Sequence, residues 1–182
     1  MNQNNFDCFH DQGHLEEALN IYKQIINIYS QLNEPKQRAM ILIKVASIHL
    51  IQDRLESAFE CYQQILDINE QIGDLDLEVD VLAGIGELLR KKDHQNDALD
   101  KYYQALAITE NTQDQRRKAK VLESIAAIYS DQGLVKEALN NYQQALSIVE
   151  QIRDQPYIMT ILTGMGWGTT YYVYLFSLFY RI

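Results

Sequence analysis

The chain has 182 residues and a formal net charge of −9. That balance excludes a nucleic-acid binder, which needs a basic stripe for phosphates, and 47% hydrophobic with 23% charged residues excludes a disordered chain. Cys8 and Cys61 are the only cysteines, and residues 1–7 lack the basic and apolar stretches of a signal peptide, so a reducing, cytoplasmic setting without disulfides is expected.

In chain order, residues 1–12 keep only the stretch around Phe6 and Phe9 as part of a first helix. Gly13 predicts a turn, and 13–32 carries a second helix with Ala18 and Tyr22 on its apolar side. Residues 38–51 place Ile41, Leu42, Val45, Ile48 and His49 at helical spacing. A turn follows at Asp53, and then Leu55, Ala58, Phe59, Tyr62, Ile65, Leu66 and Ile68 form a second stripe. Gly73 suits the left-handed residue that ends a helix.

From here the chain repeats itself in steps of forty residues. Ala18, Ala58, Ala98 and Ala138 keep that step, as do Tyr22, Tyr62, Tyr102 and Tyr142, and the turn series Gly13, Asp53, Asp93 and Gly133. A fixed period of this size predicts units that bury their apolar faces only against neighbouring units. The blocks fall near 13–36, 37–74, 75–114 and 115–154, with a partial one at 155–166. Small residues mark the helix crossings: Ala46, Gly86 and Ala126 in the first helices, and the alanine series in the second. The tyrosines one turn after those alanines are expected to fill the groove toward the next repeat. An acidic residue recurs at the junctions, and Asp74 and Asp114 are expected to cap the helix that follows. The predicted class is all-α, a right-handed α-solenoid of stacked antiparallel helix pairs.

Three blocks in register resemble the tetratricopeptide repeat: Leu42-x2-Val45-Ala46 with Ala58-x3-Tyr62, Leu82-x2-Ile85-Gly86 with Ala98-x3-Tyr102, and Leu122-x2-Ile125-Ala126 with Ala138-x3-Tyr142. The forty-residue period is similar to that of kinesin light chains and of bacterial, notably cyanobacterial, arrays. The resemblance implies a non-catalytic scaffold that holds a partner peptide or helix in a groove lined by the first helices. By register those positions are Ile43, Ser47 and Leu50 (with Met40 and Ile51), then Asp80, Ala83, Glu87 and Arg90 (with Lys91), then Lys120, Glu123 and Ala127 (with Ser130 and Asp131). Asp80, Glu87 and Glu123 favour a basic protein or peptide partner. Met40, Ile43 and Leu50 either anchor an apolar ligand or pack on the N-terminal half-repeat. The lysine and asparagine clamp by which the family grips peptide carboxylates is absent, since Ile43, Ala83, Glu123, Ser47, Glu87 and Ala127 stand there.

No phosphate-cradling glycine loop, nucleophile elbow or zinc-protease motif occurs, so no enzyme and no cofactor is expected. Cys8, His10 and His14 do not match a zinc spacing. The register is lost in 167–182, a stretch rich in Tyr and Phe. Three readings stand: an accidental terminus covering the open end, a modified cap, or a membrane anchor using the uncharged 24-residue run 157–180. Self-association through that end is expected.

Overall fold

The computed structural model describes the backbone of residues 3–112 and 114–166, with side chains from Gly13 onward. Eight helices follow one another there: α1 (Gln3–Gln31), α2 (Pro35–Ile51), α3 (Leu55–Ile72), α4 (Leu75–Lys91), α5 (Gln95–Thr109), α6 (Gln115–Asp131), α7 (Val135–Gln151) and α8 (Gln155–Gly164). No strand occurs among the described residues. The expectations for 167–182 and for the side chains of Cys8 and His10 lie outside them. Among the described residues no helix is long and apolar enough to cross a membrane.

The chain divides after Leu88 into two compact units. In unit 1 the α2–α3 pair and α1 enclose a core of Leu19, Leu42, Val45, Ile48, Ile65 and Ile68, joined by Leu77 and Val81 of α4. In unit 2 the α6–α7 pair and α8 enclose Leu122, Ala126, Tyr142, Val149, Ile161 and Leu162. Burying one such aliphatic side chain favours folding by about 1.5–3 kcal/mol.

The turns inside the pairs share one conformation. Asp53, Asp93 and Gly133 all have positive φ, at 58°, 62° and 72°. Behind each, a backbone N–H reaches back five residues: Arg54 to the His49 carbonyl, His94 to Leu89, Leu134 to Tyr129. These bonds satisfy carbonyls that a helix end leaves open. Aspartate tolerates the left-handed region better than most side chains, which explains its presence where glycine is not used. Gly73 ends α3 in the same conformation, with φ 65°.

Gly13 departs from the series. The chain was expected to turn there, yet α1 runs through it from Gln3 to Gln31 without a break. A turn is worth making only when the helix before it can bury a face, and residues 1–12 carry too few apolar side chains for that. The consequence reaches Ala18 and Tyr22. Both are only half-buried, whereas Ala58, Ala98, Tyr62 and Tyr102 are buried to 2% exposure or less.

The junction acids are caps where the sequence placed them. Asp114 accepts from the Arg117 N–H, at 3.0 Å, and Asp74 from the Leu77 N–H, also at 3.0 Å. Asp154 does the same for α8 through the Tyr157 N–H. Glu34, one carbon longer, makes no such bond, and Pro35 opens α2 instead. Two ion pairs strap first helices to the next junction at equivalent positions: Lys36 to Asp74 at 2.6 Å, and Arg116 to Asp154 at 2.9 Å. Lys36 holds the Asp74 carboxyl below its usual range, aided by the backbone N–H of Leu77.

In the small-residue series Ala46, Ala58, Ala98 and Ala126 are fully buried and Gly86 and Ala138 are also inside. The tyrosines reach the following helix. The Tyr62 ring lies over Gly84 of α4, where an added Cβ would stand 2.3 Å from the ring. Tyr142 lies over Gly164 of α8, with 3.0 Å to an added Cβ.

Candidate protein-binding faces

The outer faces of the first helices are described unit by unit. In unit 1, α2 presents Met40, 52% exposed, with Ile43 half-buried and Ser47 exposed. The Ser47 hydroxyl donates to the Ile43 carbonyl at 2.9 Å and so is occupied by its own helix. Leu50 does not belong to this face. It is 7% exposed and part of the unit 1 core, while Ile51 beside it is 68% exposed. Its equivalents forty and eighty residues on are Arg90 and Ser130, which the register treats alike. Only the leucine gains by turning inward.

On α4 the same face carries Asp80, Ala83 and Glu87, all half-buried. The floor between the two acids is bare, because Ala83 and Gly84 carry almost no side chain and the Tyr62 ring closes the space beneath Gly84. Burial holds the proton on the Tyr62 hydroxyl far above its usual range, and the charge of Glu87 adds to this.

In unit 2 the expected face is largely committed to internal contacts. Arg90 pairs with Asp131 at 3.1 Å. Glu123 accepts a 2.6 Å hydrogen bond from the Tyr157 hydroxyl of α8. The Tyr157 ring is also covered by the Arg116 guanidinium, 5.9 Å from its centroid, and Arg116 is held by Asp154. Burial and the Glu123 carboxylate both keep the Tyr157 proton in place, so this donor persists well past neutral pH. Glu123 is therefore a structural acceptor. Ala127 is half-buried and Lys120 exposed. Beside them the Tyr103 and Tyr129 hydroxyls meet at 2.8 Å, and burial with this bond pushes Tyr103 up to about 12.

Sequence reasoning missed Tyr157 and Arg116. The equivalents of Tyr157 in the other blocks are Gln37, Leu77 and Arg117, so no repeating residue type marks it, and Arg116 repeats only as the cation Lys36, with Asp76 between them. It also passed over Gly84, though Gly84, Ser124 and Gly164 keep the forty-residue step and could have been found that way. His49, expected inside, is half-buried with its Nδ1 shielded and without a partner among the described residues. Burial, then the nearby Arg54, lowers its pKa, so the ring is neutral at pH 7. His94 occupies the N-cap position of α5, exposed and without a side-chain capping bond, 3.3 Å from Asp97. No group of three or more metal-binding side chains is assembled among the described residues.

A tetratricopeptide repeat family model matches residues 37–111, and a second one matches 119–153. The chain is a tetratricopeptide repeat protein. Such repeats generally mediate protein–protein interaction, and their fold is typically a non-catalytic scaffold. Solved structures agree on the fold. The tetratricopeptide chain is similar to BtubC (BKLC) from P. vanneervenii, with a TM-score of 0.70 and 18% identity over 88% of this chain and 67% of that one. It is also similar to kinesin light chain TPR-like repeats of Podosopora anserina, with a TM-score of 0.61 and 15% identity over 90% of this chain and 81% of that one. No curated protein matches it in sequence.

Proposed function

We propose that this tetratricopeptide protein is a cytoplasmic adaptor that holds a peptide or helix of a protein partner against its first-helix faces. The observation that carries this reading is in unit 1, where α2 presents Met40, 52% exposed, with Ile43 half-buried, and α4 carries the half-buried Asp80, Ala83 and Glu87. A few apolar anchors supply affinity at such a face, and charge at the rim supplies selectivity. The acidic residues and the net charge of −9 favour a basic partner. Within unit 2, Lys120 and Ala127 extend the same kind of surface, while Arg90 pairs with Asp131 and Glu123 accepts from Tyr157.

The test is a peptide-library selection on the full chain, with each selected peptide re-measured on Ser47→Arg and on Gln63→Arg. Ser47 is exposed on the α2 face and Gln63 is exposed on α3. Selected peptides should lose at least tenfold in affinity on the first variant and little on the second, as expected for a bulky charge placed at an interface centre. Equal binding to both variants would remove the reading.

A second reading, self-association, is supported by α1. Ile21, Ile28 and Leu32 are 49%, 51% and 63% exposed, whereas Cys61 and Ile68, the equivalents of Ile21 and Ile28, are 7% and 3% exposed. An apolar row of this kind favours association. Sedimentation of the chain should show a concentration-dependent dimer that Ile28→Glu abolishes, and a monomer at every concentration would exclude it.

A further inference from the structure

We infer that the chain pairs with a second copy of itself through α1, the two α1 helices lying antiparallel about a two-fold axis that passes between Ile25 and Ile28. This rests on the self-association reading and gives it an interface and an orientation.

The apolar residues of α1 fall in two rows. Leu15, Leu19, Tyr22 and Ile26 belong to the unit 1 core or pack against it, and α1 meets α2 there. Ile21, Ile25, Ile28 and Leu32 form the second row, spaced four, three and four positions apart. That is the spacing at which one helix presents a continuous seam to another. The seam runs to the helix end, where the Leu32 N–H still donates to the Ile28 carbonyl at 2.9 Å. In α3 the equivalent row is Cys61, Ile65, Ile68 and Ile72, and it is buried in, or packed on, the core that α3 shares with its hairpin partner α2. On α1 the row stays open: Ile25 is half-buried and the other three are exposed.

A second α1 fits this row. Two antiparallel copies interdigitate with Ile25 against Ile28 of the partner subunit and Ile21 against Leu32 of the partner subunit. The two-fold axis repeats both contacts, giving four aliphatic layers over about 16 Å of helix. Each copy then covers the other's row as α2 covers that of α3. The flanks of the seam decide for a second copy over a charged partner. Gln24 falls beside the partner's Gln31, and Tyr22 beside the partner's Tyr29, so no flanking position is charged. Two chains of net charge −9 can therefore meet here without opposing carboxylates. Glu16 lies off the row and is held by Arg54 at 2.6 Å. One helix from each copy makes a small interface, so pairing is expected at micromolar and higher concentrations.

The experiment combines disulfide trapping with sedimentation of the full chain. For trapping, Cys8→Ser and Cys61→Ala remove the native thiols, and one chain carries Gln24→Cys while a second, tagged for size, carries Gln31→Cys; both positions are exposed. Thermal melts establish that each variant is folded. On mixing and oxidation, the 24–31 product should exceed either like-with-like product roughly fivefold, because only that pair is brought side by side. In sedimentation, Ile21→Glu and Leu32→Glu should each weaken the dimer roughly tenfold, and Asn27→Glu, exposed on α1 off the row, less than about twofold. Like-with-like cross-links in excess would mean a parallel pair and overturn the inference while self-association stands. So would species larger than a dimer, which require a contact that does not close on itself. A dimer weakened equally by Asn27→Glu, or untouched by Ile21→Glu, overturns it by excluding the seam. A monomer at every concentration overturns it together with the self-association reading and leaves the adaptor reading as it was.

Discussion

Gly84→Val is expected to destabilise the protein by about 3 kcal/mol, at the upper end of the usual cost of overpacking. A Cβ at this position would stand 2.3 Å from the Tyr62 ring, closer than any real contact, and the ring is only 2% exposed. It has no empty space to swing into. Gly84→Ala gives the sharper test. In an ordinary helix interior, glycine to alanine stabilises by about 1 kcal/mol. With Tyr62 in place the exchange should instead destabilise, and in a Tyr62→Leu background the sign should return to stabilising. Urea melts of the four proteins in a double-mutant cycle measure this coupling. A rise in stability for Gly84→Ala in the wild-type background would contradict the packing.

Leu122→Ala is expected to cost about 3 kcal/mol, within the range for emptying a buried leucine site. Leu122 is 2% exposed and lies in the unit 2 core with Tyr142, Ile161 and Leu162. Those neighbours come from α7 and α8, two elements fixed by separate turns, so the space closes poorly when the side chain is removed. Chemical denaturation gives the magnitude, and hydrogen exchange should show lost protection in α6, α7 and α8. A loss below about 1 kcal/mol would mean that the site collapses or that Leu122 is not a core residue.

The elements that could be read from the sequence are those that repeat. The alanine and tyrosine series identify helix crossings because sterics admit only a small residue there and reward a ring one turn later. The junction acids and Gly73 identify helix ends because a side-chain acceptor or a left-handed residue is needed at each. What could not be read depends on context that no period carries. Gly13 sits in the turn register, yet a turn forms only when both flanking helices have a face to bury. Leu50 sits in the groove register, yet an apolar side chain at the edge of a core turns inward. Glu123 sits there too, but its partner Tyr157 lies 34 residues away on a helix whose other blocks offer glutamine, leucine or arginine at that place. A register fixes where a Cβ points. It does not fix what the neighbouring helix brings to it.

The left-handed turns at Asp53, Asp93 and Gly133 close on their own backbones, through bonds such as His94 N–H to the Leu89 carbonyl at 2.9 Å. The residues at their tips, Lys92 and Asp93 among them, are exposed and lend nothing to either core. They are therefore the seams of the molecule. A fluorophore, an affinity tag or a whole inserted domain grafted at Asp93 would ride outside the helices on a turn the protein already keeps apart from its packing.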